Sequence, residues 1–491
     1  MRRAFEFKAA QVVTNRMPTN TRKKVLAARR ISLLMSPKTF FSRNAGGNVF
    51  FGILEDIKDI PGTVIDILVS KKTGRRETSF NPIATAKAEA KGLKKGVTEW
   101  FLDIKYGVNT SPTEHEMPRA PSFEGKLGRA LEQFLNKALQ LGDRPFFEAA
   151  YAKRLDELRR LGRDINSQEA IEDATAYALE RVFQNDSEFA KRAYELRRSL
   201  GVLGDITIPF AQFPANAFDK LLDYSPIGFA RAIKKFGSIG DSGWSQKQFT
   251  DTLARAITGI GIILLGYFGC IKGLITGGDD DKSEKEEYME KQAGKKPYAI
   301  NVDGTYYTYD AFTPVGSLLA LGANMAQASN GEETLMAILE AGMNAGINTM
   351  FNQSYLEGLS ELFGSGDIAK NLENMLVNLP ASFVPTFFQQ VAWIVDDVMR
   401  DTYDPDPVKR AWNKMKAKIP GLSKTLPPVI GAKGEEMKRF QNRGTLSNIF
   451  ESLLSPGYIG QNVQSDVDKE IMRVYEATGD TDVLPKWKPY T

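Results

Sequence analysis

An apolar, glycine-rich stretch within residues 251–314 limits most strongly what this chain can fold into. No charged residue occurs between Arg255 and Lys272, where the sequence reads AITGIGIILLGYFGCI. As a helix this run is about 24 Å long, which is shorter than the ~30 Å hydrocarbon core of a bilayer. If Lys272 extends its amine to the membrane interface, the run continues through Gly278 and becomes long enough to span. The stretch therefore predicts a central apolar helix, either buried in a soluble core or inserted in a bilayer.

Three glycines recur at every fourth position near the end of this stretch: Gly269, Gly273 and Gly277. Small residues at this spacing let a second helix backbone approach closely, in lipid or in a tightly packed bundle. We therefore predict that these glycines form a helix-packing face.

A charged segment and a hairpin follow. The acidic run that begins at Asp279 lacks the glycine and the closing glutamate of a calcium-binding loop, so we interpret it as a solvated linker. The segments YAINV and TYYTY then flank Asp303-Gly304, an alternating strand pattern around a type I′ turn signal. This pattern predicts a β-hairpin over about residues 298–309.

Further charge-free runs lie at 311–331, 341–356 and 374–395. They predict additional apolar helices, in a number greater than a soluble helical protein usually has. Trp393 stands at the end of the last run, beside two aspartates, and is predicted to anchor a membrane interface together with Lys272.

Overall composition is that of a folded, water-soluble chain, with 25% charged and 42% hydrophobic residues among 491. The single cysteine, Cys270, excludes an intramolecular disulfide framework. The sequence MRRAFEFKAAQ leads into no apolar h-region, so we expect synthesis in the cytoplasm without a secretory signal.

The first 43 residues form a basic arm, with eleven lysines and arginines against one acid, Glu6. Such an arm favours polyanions such as DNA or anionic lipid. The residues predicted to contact phosphate are Arg22, Lys23, Lys24, Arg29 and Arg30. A solvated arm, or one that docks on a partner protein, remains the alternative.

The fold class predicted from these patterns is mainly α: a multi-helical chain with a central glycine-rich apolar helix, further apolar helices and one small β-hairpin. Prolines divide the helical regions: a break is predicted at Pro61-Gly62, between two short amphipathic helices, and another at 142–145. The predicted segments are 1–43 (basic arm and first helix), 44–110 (short amphipathic helices), 111–125 (proline-rich linker), 126–205 (charged helices), 206–400 (apolar helices with the hairpin) and 401–491 (basic, proline-rich strap and last helix).

The residues of ordinary catalytic sites are missing from the sequence. The only histidine, His115, lies in a proline-rich loop, and no nucleophile pattern accompanies it or Cys270. One histidine and one cysteine cannot form an ordinary zinc site, and no phosphate-binding glycine loop is present. We therefore expect no enzyme activity, no cofactor and no metal, and we keep a carboxylate-pair hydrolase only as a third class.

Several phrases of the sequence are similar to a known family. They are MSPKTFFSRNAGGNVFFGILEDIKDIPG, LQLGDRPFFEAAY, RVFQND, PFAQFPANAFDKLLDYSPIGFARA, DTLARAITGIGIILLGYFG, YAINVDGTYYTYDAFTPVGSLLALGA and IPGLSKTLPP. On these phrases the chain resembles the large polyvalent protein-associated domain of phage and prophage proteins, best over residues 200–350 and more weakly over 30–430. None of the phrases is a catalytic motif, so the resemblance implies no active-site residue.

The resemblance implies a phage protein that is packaged in, or injected from, the virion. We expect a non-enzymatic internal or ejection protein that packs as an oligomer near the portal or the DNA, and whose apolar helices contribute to a genome-delivery conduit through the host membrane. Its expected partners are copies of itself, other virion proteins, DNA through the basic arm, and host membrane lipid. Its expected locations are the virion interior, and the host membrane after ejection. The alternative is a soluble structural or assembly protein of the particle that never inserts in lipid.

Overall fold

The computed structural model describes residues 21–113, 122–123, 125–237, 245–278, 283–309, 311–328, 377–440 and 444–485. Helices dominate these residues, and one small antiparallel sheet accompanies them, so the predicted fold class is confirmed. Several sequence predictions lie outside the described residues: the arm before residue 21, His115, the acids at 279–281 and the charge-free run at 341–356.

The helices of the described residues are numbered here along the chain. In chain order they are α1 (Thr21–Leu34), α2 (Ala45–Thr73), α3 (Pro82–Tyr106), α4 (Lys126–Arg160), α5 (Gln168–Arg181), α6 (Glu188–Ser199), α7 (Gly201–Thr207), α8 (Gln212–Tyr224), α9 (Ile227–Gly237), α10 (Gln246–Ile271), α11 (Glu284–Gln292), α12 (Val315–Ala328), α13 (Thr386–Val395), α14 (Pro407–Lys416), α15 (Thr445–Leu453) and α16 (Asp466–Thr478).

The chain forms two compact units. Unit 1 comprises residues 1–31, 43–262 and 312–318, and unit 2 comprises 32–42, 263–311 and 319–491. These units cut across the six segments predicted from composition. The predicted apolar segment 206–400, in particular, contributes residues to both.

Unit 1 is built around the antiparallel pair α3 and α4. Gly92 and Gly96 of α3 face the backbone of α4, where an added Cβ would lie 2.6 Å from the Cα atoms of Ala149 and Pro145. Only glycine permits this approach, because any side chain there would meet main-chain atoms. An apolar cluster then joins α4 to α5; its buried members are Phe147, Ala150, Tyr177, Ala178 and Val182.

Two predicted helix breaks do not occur, because α2 continues through Pro61 and α4 continues through Pro145. A proline inside a helix removes the hydrogen bond to the carbonyl four residues earlier. For Pro61 that carbonyl belongs to Ile57, which lies on the exposed side of α2, where water can satisfy it. Tertiary contacts of the neighbouring side chains, described below for Lys58, then hold the helix together across the proline.

Unit 2 contains the predicted hairpin. Strand β1 (Ala299–Val302) pairs antiparallel with β2 (Thr305–Thr308), and Val302 lies opposite Thr305. Asp303 and Gly304 have φ angles of 50° and 78°, the left-handed geometry of the predicted type I′ turn. A third strand, β3 (Ile459–Gly460), extends the sheet next to β2. Two residues are too short to give an alternating pattern, so β3 was not predictable from sequence.

Candidate functional site

Helix α2 turns its apolar side outward. Every exposed position between residues 49 and 68 is apolar, and each of these side chains is 42% to 59% exposed. We call this surface the α2 face; its members are Val49, Phe50, Ile53, Ile57, Ile60, Val64, Ile67 and Leu68. The sequence predicts two short amphipathic helices here; the structure has one helix instead, and its buried side is the one opposite the apolar stripe.

The buried side of α2 is largely polar. Asn48, Glu55, Lys58, Asp59 and Asp66 are all buried, and only Phe51, Leu54 and Gly62 accompany them. Buried charges are tolerated only where they are paired and hydrogen-bonded. The position of α2 is therefore set by the partners of its charges.

Arg255 of α10 lies at the centre of this interior. Its Nε donates to Oε1 of Glu55 at 2.9 Å, and one terminal nitrogen lies 2.8 Å from Oε1 of Glu180. The other terminal nitrogen lies 3.6 Å from Asp223. Glu55 also accepts the hydroxyl of Tyr224 at 2.7 Å. One guanidinium thus connects α2, α5, α8 and α10.

Lys58 extends the interior in the other direction. Its ammonium lies 3.1 Å from Asp251 of α10 and 2.8 Å from Asp59 of its own helix. Asp59 is in turn 2.7 Å from Lys153 of α4, which also pairs with Asp56. We call the whole set the buried charge network: Glu55, Lys58, Asp59, Lys153, Glu180, Lys220, Asp223, Asp251 and Arg255.

Two central groups of the network, Glu55 and Lys58, are held in their charged forms. Burial alone would raise the pKa of Glu55, but Arg255 and Lys58 outweigh it and hold that pKa well below its usual range. Burial alone would lower the pKa of Lys58, but Asp251, Asp59 and Glu55 raise it well above its usual range. Groups whose pKa values lie far from neutral make poor general acids or bases at neutral pH. The network therefore has the character of a structural core.

The space beside the network is narrow. The cleft there leaves no room for a water-sized molecule; it is lined by Phe51, Glu55, Tyr177, Glu180, Arg181 and Arg255. Within the described residues, no group of three or more histidine, cysteine or carboxylate side chains is arranged to hold a metal. A substrate or ion would thus have to displace the pairs themselves.

Acid is expected to weaken unit 1 through Glu180. Burial would raise the pKa of this carboxyl, but Lys220 and Arg255 lower it from 4.5 to about 2. Because the folded-state pKa lies below the unfolded one, the stabilisation is complete above about pH 4.5 and is lost as the pH falls towards 2. The loss should be on the order of 2 kcal/mol, reduced because the Glu180 side chain is 31% exposed.

This loss can be measured as the urea midpoint of α5 by hydrogen-exchange mass spectrometry between pH 2 and 7. The variant Glu180→Gln should show a shallower pH dependence than the unmodified chain over this interval. Parallel curves for the two proteins would contradict the assignment.

A second outward apolar surface lies in unit 2, at the end of α10. Leu265, Phe268, Ile271 and Leu274 are 51% to 66% exposed, and the predicted interface residue Lys272 is exposed beside them. We call these four apolar residues the α10 end. Among the described helices, α10 is the one long and apolar enough to cross a membrane, although 44% of its most apolar window is buried. A buried core helix of a soluble protein meets the same criterion.

The predicted glycine face of α10 does not form, because the helix ends at Ile271. Gly269 faces the side chain of Ile275, and Gly273 is a left-handed residue past the helix end, with φ of 70°. Gly277 lies in the following extended segment, against the ends of two side chains. The every-fourth-residue spacing of these glycines therefore extends past the end of α10, so it does not mark one face of a helix.

Two other glycines make the close helix contact. An added Cβ on Gly266 of α10 would overlap the carbonyl oxygen of Leu319 in α12. An added Cβ on Gly322 of α12 would overlap the carbonyl of Ile263 and lie 2.8 Å from the Tyr267 nitrogen. This reciprocal contact was missed, because its two members lie 56 positions apart and no second glycine stands four positions from either.

Two of the arginines predicted to contact phosphate instead make hydrogen bonds inside unit 1. Arg30 is buried; its Nε donates to the Pro209 carbonyl at 2.8 Å, and its guanidinium lies over the ring of Phe210. Arg29 donates to the carbonyl of Ile206 at 3.2 Å. Both arginines are therefore corrected from surface contacts to internal ones, since they lie on the side of α1 that packs.

The other predicted site residues differ in exposure. Lys23 is exposed, Lys24 is half-buried, and the side chain of Arg22 lies outside the described residues. Trp393 in unit 2 is half-buried on α13, with the guanidinium of Arg439 5.1 Å from the centre of its ring.

We found no matching family model, no similar curated protein and no similar solved structure for this chain.

Proposed function

We propose that this chain is a non-enzymatic, virion-associated protein of a bacteriophage that packs as an oligomer near the portal or the DNA and contributes apolar helix surfaces to a genome-delivery conduit through the host membrane. The phage context rests on the sequence resemblance. The observation that carries the proposal is the polarity of α2, which keeps its charges inside and exposes only apolar side chains between residues 49 and 68.

This polarity is unfavourable for a protein that remains alone in water. A fully buried aliphatic side chain contributes about 1.5–3 kcal/mol, so eight half-exposed ones forgo on the order of 1 kcal/mol each. Exposed apolar surfaces of this extent mark protein or membrane interaction sites. An environment that covers the α2 face or the α10 end therefore belongs to the proposed function.

A soluble assembly protein of the particle is the second candidate. The close contact of Gly266 with Leu319 favours it, because that side of α10 is already packed against protein within unit 2. In this candidate, protein partners alone cover the apolar surfaces. DNA contact through the basic arm fits either candidate, with Lys23 as the exposed described residue on which to test it.

Flotation with liposomes distinguishes the two candidates. We expect the full chain to float with both anionic and neutral vesicles in high salt, after a low-pH or mild-detergent trigger. Leu265→Asp at the α10 end should reduce the floating fraction at least tenfold, because a charged aspartate in hydrocarbon costs about 2.5–3.5 kcal/mol. The matched control is Leu446→Asp, the same change at an 84% exposed position on α15.

Two results would contradict membrane insertion. If the chain stays at the bottom of the gradient under every condition, the soluble assembly protein is the remaining candidate. Flotation with anionic vesicles alone, abolished by salt and unaffected by Leu265→Asp, would show electrostatic adsorption without insertion.

A further inference from the structure

The α2 face has the spacing of a coiled-coil seam. Its central members are separated alternately by three and four residues; they are Phe50, Ile53, Ile57, Ile60, Val64 and Ile67. Alternation of three and four places side chains along one narrow line that faces a second helix. Lipid imposes no such alternation, because it surrounds an apolar surface without holes to fit.

We propose that the α2 face binds the α2 face of a second copy of this chain, antiparallel, across a twofold axis between Ile57 and Ile60. This deepens the proposed function, in which the chain assembles with copies of itself, by naming the surface through which two copies meet. It rests on that proposed self-assembly and needs no membrane.

The size of the surface agrees with a dimer contact. Eight large apolar side chains that are about half exposed present on the order of 700–800 Å², close to the ~800 Å² that each partner gives to a standard interface. The largest apolar patch on an ordinary monomer is about 300–600 Å². No charged residue interrupts the face between residues 49 and 68, so one copy would bury none of its own charges against the other.

The order of the residues agrees with an antiparallel arrangement. The spacing reads the same in both directions, so a twofold axis pairs Phe50 with Ile67, Ile53 with Val64, and Ile57 with Ile60. The exposed lysines of α2, Lys71 and Lys72, stand in its last turn, and its first turn has no acid. A parallel pair would place four lysines in one turn, whereas the antiparallel pair separates them by the length of the helix.

Cysteine crosslinking tests this arrangement in the full chain. The only native cysteine is removed by Cys270→Ser, and Ile53→Cys and Val64→Cys are then made as separate proteins. Under mild oxidation each protein alone should give little dimer, and the mixture should give the mixed disulfide dimer, enriched at least tenfold. Leu127→Cys, at an 84% exposed position on α4, measures crosslinking by random collision.

Other results would overturn the proposal. Efficient crosslinking of Ile53→Cys with itself would indicate a parallel seam. A mixture that reacts no faster than Leu127→Cys, together with a monomeric mass in light scattering, would show that no second copy covers the face. Loss of flotation on Ile57→Asp, without any change of mass, would assign the face to lipid.

Different variants test the proposed dimer and the proposed membrane function. The variant Ile57→Asp should turn a dimer into a monomer and leave flotation through the α10 end intact. Leu265→Asp should reduce flotation and leave the dimer intact. If the protein dimerises but never floats, this result would support the α2 seam and contradict the membrane conduit.

Discussion

The variant Arg255→Met is expected to destabilise unit 1 by about 3–5 kcal/mol, the usual loss when one partner of a buried ion pair is removed. Methionine fills much of the volume but leaves Glu55 without the guanidinium at 2.9 Å. It also takes one cation from Glu180 and Asp223, although Lys220 stays beside both carboxylates and Arg231 stays 2.8 Å from Asp223. Hydrogen-exchange protection of α2 and α5 in urea should fall, while that of the hairpin in unit 2 remains.

The matched control is Arg473→Met on α16. Arg473 pairs with Glu470 at 2.6 Å, but both side chains are more than half exposed, so we expect no measurable loss. A double variant, Arg255→Met with Glu55→Gln, should recover part of the stability, because glutamine removes the uncompensated charge and can still accept the hydroxyl of Tyr224. If Arg255→Met behaves like Arg473→Met, the network contributes little to the fold.

The second large effect is expected from Gly266→Ala. One methyl group there would overlap the main chain of Leu319, so α10 and α12 must separate within unit 2. Overpacking of this kind costs about 1–3 kcal/mol, and we expect about 3 because backbone atoms cannot rotate away. The urea midpoint of the α12 peptides, followed by hydrogen exchange, measures the loss.

Gly261→Ala provides the control on the same helix. No atom lies within 4 Å of its added Cβ, so alanine should stabilise the helix by up to about 1 kcal/mol. Equal stability of the two alanine variants would contradict the close contact of α10 with α12. Because a side chain at Gly266 disturbs folding, an aspartate there cannot report lipid contact, and Leu265 is the position for that experiment.

The sequence allowed the elements to be predicted better than their orientation. The hairpin was predictable because alternating strands and an Asp-Gly turn are local signals. The apolar stripe of α2 was visible, but periodicity gives two faces and does not say which one is buried. The answer depends on Arg255 and Asp251, which lie about 200 positions away along the chain.

The prediction of site residues was limited for the same reason, because local sequence patterns do not show contacts between residues far apart in the chain. Counting basic residues located the arm, but it could not show that Arg30 meets the Pro209 carbonyl. The spacing of Gly269, Gly273 and Gly277 matched a helix that ends before the second of them. A signal for the buried charge network was present in Lys58 and Asp59, which follow Glu55 by three and four positions on the side of α2 opposite the apolar stripe, but that spacing does not identify their distant partners.

The charged interior around α2 also affects how stability changes with temperature. The heat capacity of unfolding rises with newly exposed apolar area and falls with newly exposed polar area. The α2 face is already in contact with solvent in the folded chain, and the groups released from its other side are mostly polar or charged. This region therefore adds little to the heat capacity of unfolding. Its free energy should follow a flat curve with temperature, while the desolvation penalty of its ion pairs decreases on heating.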